Sequence, residues 1–202
     1  MTIDQLAENA LASVRSWYKT GVKSNNKRRA MPTDAHRNAE EARIYASSVL
    51  QSKGIADYYL HGALAHGESM ASRQRAGNCW DLAVAAMAAA VRLDRTQVVR
   101  VIAIPAPGDH AFLTIGGTLE EVLRPFLVAH QGHSNYCICD PWANIACRGH
   151  LYLGQFYDKM GKWKSHGKQI YYDGAWRDAD DHGWKISMML IKQLSHEELP
   201  RP

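Results

Sequence analysis

The feature that most constrains this chain is a nearly uninterrupted apolar run at residues 82–93, LAVAAMAAAVRL. Alanine, leucine and methionine are strong helix formers, and a helix without a polar face must be buried on most of its surface. The run is shorter than the roughly 18 apolar residues that a membrane span requires, and no longer run occurs elsewhere. We therefore predict a central buried helix, around which the other elements pack, and no membrane span.

Helical spacing of apolar residues also occurs before this run. It predicts a helix over 3–20, a second helix over 34–51 that Thr33 and Asp34 would cap, and a weaker one over 55–72. The segment at 20–34 contains glycine, asparagine, proline and a basic cluster, which predicts an exposed loop.

After residue 93 the pattern changes to that of strands. Short β-branched or alternating segments predict strands at 96–104, 110–116 and 136–139, with further candidate strands at 169–174 and 184–191. Helices followed by a sheet are typical of an α+β fold. We expect one compact domain, in which a helical region at 1–72 packs on a core at 73–202.

Composition narrows the class of protein. A chain of 202 residues that is 46% hydrophobic and 22% charged is typical of a globular protein with a real core. Its net charge of +4 is mild and does not require a nucleic-acid partner. The N-terminus lacks the pattern of a cleavable leader, so we expect synthesis in a cytoplasm, where four cysteines have little need to form disulfides.

One cysteine lies at the N-terminal end of the predicted apolar helix. Cys79 follows Gly77 and Asn78 and lies three residues before the apolar run. A thiol reacts as the thiolate, which a helix N-terminus and a nearby imidazole both favour. A packed core cysteine is the plainer interpretation, but the polar, glycine-containing approach favours a nucleophile.

A histidine and a carboxylate follow at the ends of predicted strands. His110 begins one strand after the turn PAPGD, and Asp140 ends the next strand before Pro141. A carboxylate there can accept a hydrogen bond from the far nitrogen of the imidazole and hold its tautomer. If the helix and the two strands stack in chain order, Cys79, His110 and Asp140 meet at one edge as a catalytic triad.

The motifs GNCW, DHAF and DPW, all within 73–142, resemble the Cys-His-Asp enzymes of the papain-like and transglutaminase-like superfamily. That resemblance implies a helix opened by the catalytic cysteine and packed on an antiparallel sheet. It implies Cys79 as nucleophile, His110 as general base and acid, and Asp140 as the residue that orients the imidazole. Gln74 or Asn78 would donate to the oxyanion with the Cys79 N–H, and Trp80 and Trp142 would line the substrate channel.

The resemblance also sets the expected activity: hydrolysis of amide bonds in a protein substrate, either a peptide bond or a glutamine or asparagine side chain, without a metal or other cofactor. Members include bacterial effector proteases and deamidases injected into host cells. We therefore expect a bacterial protein delivered without a cleavable leader into a host or competitor cell, with a secretion chaperone or an immunity protein as a further partner. The first seventy and last sixty residues carry no part of this resemblance.

Two alternatives remain open at this stage. Cys137, Cys139, Cys147 and His150 have spacings from which a structural zinc site could be built, in which case the chain would be a non-catalytic interaction module. Residues 157–178 mix basic and aromatic side chains, as nucleic-acid-binding surfaces do, although interleaved acids also suit a solvated hairpin. We do not expect nucleic acid as a partner.

Overall fold

A computed structural model describes residues 1–17, 27–29, 65, 78–104, 109–123, 133–189 and 195–198. Its helices are α1 (Ile3–Trp17), α2 (Cys79–Leu93), α3 (Leu119–Leu123), α4 (Gly149–Ser165) and α5 (His182–Met189). Its strands are β1 (Lys27–Arg29), β2 (Val99–Ile104), β3 (His110–Gly116), β4 (Tyr136–Asp140), β5 (Ile145–Arg148), β6 (Lys168–Tyr172), β7 (Ala175–Asp178) and β8 (Ser195–Glu198).

The main sheet is antiparallel and has the strand order β5-β4-β3-β2-β8. Strands β2 to β5 pair in chain order as a meander, and β8 adds to the free edge of β2. The strands predicted at 96–104, 110–116 and 136–139 are the three central ones. The α+β class predicted from the sequence is therefore confirmed.

Helices cover both faces of this sheet. Register places Cys137, Cys139 and Arg148 on one face, where the Asp4 side chain of α1 contacts Cys137 and Arg148. Helix α2 packs against α1 and against β3. Asp140 lies on the other face and contacts Tyr152 of α4. The sheet thus separates α1 from α4.

Helix α2 is the buried element that the apolar run predicts. Its residues 81–90 are all buried, and it extends N-terminally to Cys79, three residues before the run begins. Since apolar burial contributes about 25 cal/mol per Å², this helix is a principal source of stability. None of the helices in the described part of the chain is long and apolar enough to cross a membrane.

A second sheet, of order β1-β6-β7, corrects the predicted loop at 20–34. Lys27, Arg28 and Arg29 form a strand that pairs antiparallel with Ile170, Gln169 and Lys168 of β6. Pairing between strands 140 residues apart leaves no local signal in a three-residue basic segment, so the loop prediction was wrong there. The helices predicted over 34–51 and 55–72 lie outside the described residues.

The C-terminal third contains two further corrections. The candidate strand at 184–191 is wrong because residues 182–189 form helix α5, which Asp181 caps by accepting from the Trp184 N–H at 3.0 Å. The segment 157–178 is partly a hairpin, β6–β7, but its first nine residues belong to α4. Helix α4 was not predicted at all.

Candidate active site

Cys79 is the first residue of α2, and its neighbour Asn78 caps the helix. Asn78 accepts from the Asp81 N–H at 3.0 Å, and its own N–H donates to Asp81 Oδ2 at 2.9 Å. Asn78 has φ −85° and ψ −170°, an ordinary extended conformation, and its side chain caps the helix. The Cys79 side chain keeps 6% exposure, and its Sγ donates to the Asp109 carbonyl at 3.9 Å.

His110 is the first residue of β3, where the chain enters the sheet from a left-handed residue. Asp109 has φ 43°, which L side chains rarely adopt. His110 lies on the sheet face of Asp140, and its Nε2 is 2.8 Å from Asp140 Oδ2. Since Nε2 is engaged there, Nδ1 is the nitrogen left for the hydrogen bond between the ring and Cys79.

Asp140 ends β4 and is fully buried. Its Oδ1 accepts from the Ala143 N–H at 3.0 Å, which closes the turn that begins at Pro141. Its Oδ2 faces His110 Nε2. The Asp-Pro-Trp segment is therefore a turn, and the same carboxylate also contacts the imidazole. The structure brings Cys79, His110 and Asp140 together, while their catalytic roles stay a prediction.

Tyr152 joins Cys79, His110 and Asp140 in one cluster of side chains, and it was not predicted from the sequence. Its hydroxyl donates to Asp140 Oδ2 at 2.7 Å and lies 3.2 Å from His110 Nε2. The signal was present, because Tyr152, Phe156, Met160 and Trp163 follow at helical spacing and all are buried. Three glycines in this segment obscured it.

The electrostatics of the cluster favour a charged pair. Burial by itself would lower the pKa of His110, but the charge and hydrogen bond of Asp140, followed by those of Cys79, raise it to about 10. Burial would raise the pKa of Asp140, yet the charge and hydrogen bond of His110 lead the effects that lower it. At neutral pH the imidazolium and the carboxylate are therefore both ionised.

Aromatic rings enclose the imidazole. The His110 ring lies 5.1 Å from the Trp142 ring and 5.4 Å from the Phe156 ring, between centroids. Trp142 is 2% exposed, and Lys27 Nζ donates to its carbonyl at 2.6 Å. The Trp142 ring packs against His110, and its predicted place in a substrate channel stays a prediction. Trp80 is half-buried against the core.

The two candidate side-chain donors to the oxyanion have different outcomes. Gln74 lies outside the described residues. Asn78 Oδ1 is occupied by the cap, so only Nδ2 remains to serve as a donor. The Cys79 N–H belongs to the first turn of α2, where N–H groups have no acceptor within the helix.

Two substitutions at Asn78 separate capping from oxyanion binding. We expect Asn78→Ala to lower the free energy of unfolding by about 1 kcal/mol, because the Asp81 N–H loses its acceptor. Asn78→Ser keeps an acceptor and should retain that stability in urea unfolding followed by circular dichroism. If Asn78 Nδ2 also donates to the oxyanion, both variants slow hydrolysis, and Asn78→Ser does so without losing stability; equal unfolding free energies for both variants would contradict the capping role.

The zinc alternative fails on strand register. Cys147 pairs with Ile138, so its side chain lies on the opposite sheet face from Cys137 and Cys139. Cys137 Sγ donates to Asp4, and His150 Nδ1 contacts Ser134. All four cysteines are free thiols, and the described part of the chain holds no group of three His, Cys, Asp or Glu side chains suited to a metal ion.

Chemically, the site offers a thiol at a helix start, a charged imidazole against it and a buried carboxylate behind the imidazole. Nucleophilic attack through sulfur is what such an arrangement can perform. Comparison of the chain with protein-family models, with curated proteins and with solved structures found no match. The resemblance to the papain-like and transglutaminase-like superfamily thus stays a prediction that rests on three short motifs.

Proposed function

We propose that this protein is a thiol-dependent hydrolase that acts on amide bonds of a protein substrate through Cys79, His110 and Asp140. The observation that carries the proposal is the position of His110, whose Nε2 lies 2.8 Å from Asp140 Oδ2 and which also interacts with Cys79. The chain brings these residues from a helix start and two strand ends, separated by 31 and 30 residues, to one buried point. A cysteine that only packs in the core does not require a histidine and an aspartate beside it.

The proposed reaction begins from the thiolate and the imidazolium. Cys79 Sγ attacks the amide carbonyl carbon, and the C–N bond breaks as His110 gives its Nδ1 proton to the departing nitrogen. Water then attacks the thioester while His110 takes one of its protons. The C–S bond breaks, the carboxylic acid leaves, and the thiolate returns. Asp140 stays ionised throughout and holds the ring.

The nature of the leaving nitrogen distinguishes three outcomes of this chemistry. Ammonia leaves if the substrate is a glutamine or asparagine side chain, and a new N-terminus leaves if it is a peptide bond. If an amine replaces water, the product is a cross-link. By its resemblance to bacterial effectors, we propose that the substrate is a protein of a host or competitor cell into which this chain is delivered.

The nucleophile can be tested without knowing the substrate. An ordinary thiol is almost entirely protonated at pH 6 and reacts slowly with iodoacetamide. We expect Cys79 to react at pH 6 about 10–100 times faster in the wild type than in His110→Ala, because the imidazolium stabilises the thiolate. Peptide mapping by mass spectrometry measures the rate at each cysteine.

Cys147 is the internal control for this experiment. It is half-buried, and burial followed by the charge of Asp140 raises its pKa to about 12. Its rate at pH 6 should be low and the same in both proteins. Cys79 reacting no faster than Cys147, or at a rate that His110→Ala leaves unchanged, would refute the proposal.

A further inference from the structure

Tyr152 has a geometry that core packing alone does not explain. Its ring contacts Phe112 and Phe156 at 5.1 and 5.6 Å between centroids, contacts that a phenylalanine would also make. Its hydroxyl is buried and donates to Asp140 Oδ2. A buried hydroxyl costs free energy unless it is hydrogen-bonded, and here its partner is the one oxygen that also faces His110.

Within the described part of the chain, three donors bind the carboxylate of Asp140. The Ala143 N–H binds Oδ1, and the His110 ring and the Tyr152 hydroxyl bind Oδ2. The two donors on Oδ2 come from different elements, β3 and α4, so together they fix that oxygen between the sheet and the helix. Loss of the hydroxyl removes one of these two donors and weakens the hold on the position of Oδ2.

We propose that Tyr152 is a positioning residue of the active site, which keeps Asp140 ionised and aimed at His110 as the pH falls. This inference rests on the proposed function, since it assigns Tyr152 a part in the same reaction. The consequence is that the Asp140–His110 ion pair persists further into the acid range than it would without the Tyr152 hydroxyl.

Other ionisable groups face this cluster and must be considered. Cys79 of α2 acts on His110, and Cys147 of β5 and Cys139 of β4 each interact with Asp140. Lys159, one helical turn beyond Phe156 on α4, also interacts with Asp140 through its charge. Among the side chains that act on Asp140, His110 and Tyr152 hydrogen-bond it and thereby favour its ionised form.

The test compares Tyr152→Phe with Tyr157→Phe on the full chain. Tyr157 lies on the same helix, and its hydroxyl donates to the Lys185 carbonyl at 3.0 Å, away from Asp140. The rate of Cys79 alkylation by iodoacetamide is followed from pH 3 to 8. For Tyr152→Phe we expect the acid limb of the rate–pH profile to move to higher pH by about one unit, with little change in rate at pH 8. Tyr157→Phe should follow the wild type.

An unshifted acid limb in Tyr152→Phe, or an equal shift in Tyr157→Phe, overturns the inference. If alkylation in the wild type does not depend on His110, the proposed function itself fails. Should Tyr152→Phe not fold, proton NMR of the wild type still decides. The His110 Nε2 proton and the Tyr152 hydroxyl proton should then be slow to exchange and close enough for a cross-peak, and the absence of both signals refutes the contact.

Discussion

Cys79→Ala is expected to abolish amide hydrolysis, by about 10³-fold or more, while the fold is retained. The sulfur is the only atom that the proposed mechanism bonds to the substrate. Its removal costs little packing, since the Cys79 side chain is small and stands at the end of α2. The measurement is intact mass and peptide mapping of candidate target proteins incubated with either enzyme.

The mass change identifies the reaction as well as its catalyst. A gain of about one dalton indicates deamidation, two fragments indicate proteolysis, and an adduct indicates transamidation. Cys147→Ala is the matched control, because it removes a half-buried thiol outside the triad and should convert targets like the wild type. Modification that persists in Cys79→Ala would assign the chemistry to another residue and contradict the mechanism.

The central part of the fold could be predicted because its signals are local. Residues 82–93 are apolar on every face, and the strands after them change to short β-branched or alternating patterns. Cys79, His110 and Asp140 each mark the end of such an element. Their convergence followed from stacking these elements in chain order, and the meander of β2, β3 and β4 has that order.

The predictions from the sequence were wrong or incomplete where tertiary contacts or conflicting local patterns determine the structure. Strand β1 exists through its pairing with β6, and Lys27 joins it to the site by contacting the Trp142 carbonyl. Nothing within three basic residues indicates that pairing. Helix α5 is different, since Asp181 before it is a recognisable cap that the apolar pattern of 184–191 outweighed. His110 and Tyr152 contact the same oxygen of Asp140 because α4 packs against this part of the sheet. Sequence periodicity predicts a helix but does not predict which part of the sheet the helix packs against.

Asp140→Ala is expected to be the most destabilising single change in the cluster. The carboxylate is fully buried against the imidazolium of His110, and removal of one member of a buried pair costs about 3–5 kcal/mol. Asp180→Ala is the matched control, since its bridge to Lys164 is partly exposed at the surface and should contribute little to stability. Urea unfolding at pH 6, followed by circular dichroism, gives both free energies.

The pH dependence of the difference in unfolding free energy between the wild type and Asp140→Ala shows which interaction of Asp140 stabilises the fold. His110 has a pKa raised from 6.5 to about 10, so its contribution is complete below pH 6.5 and is lost as the pH rises through 10. Asp140 has a lowered pKa, so its contribution is present above pH 3.8 and is lost as the pH falls through the folded value. The wild type should therefore exceed Asp140→Ala most between pH 3.8 and 6.5, and the excess should shrink toward pH 10. A constant difference from pH 5 to 10 would mean that Asp140 stabilises the fold through the Ala143 turn, not through the imidazolium.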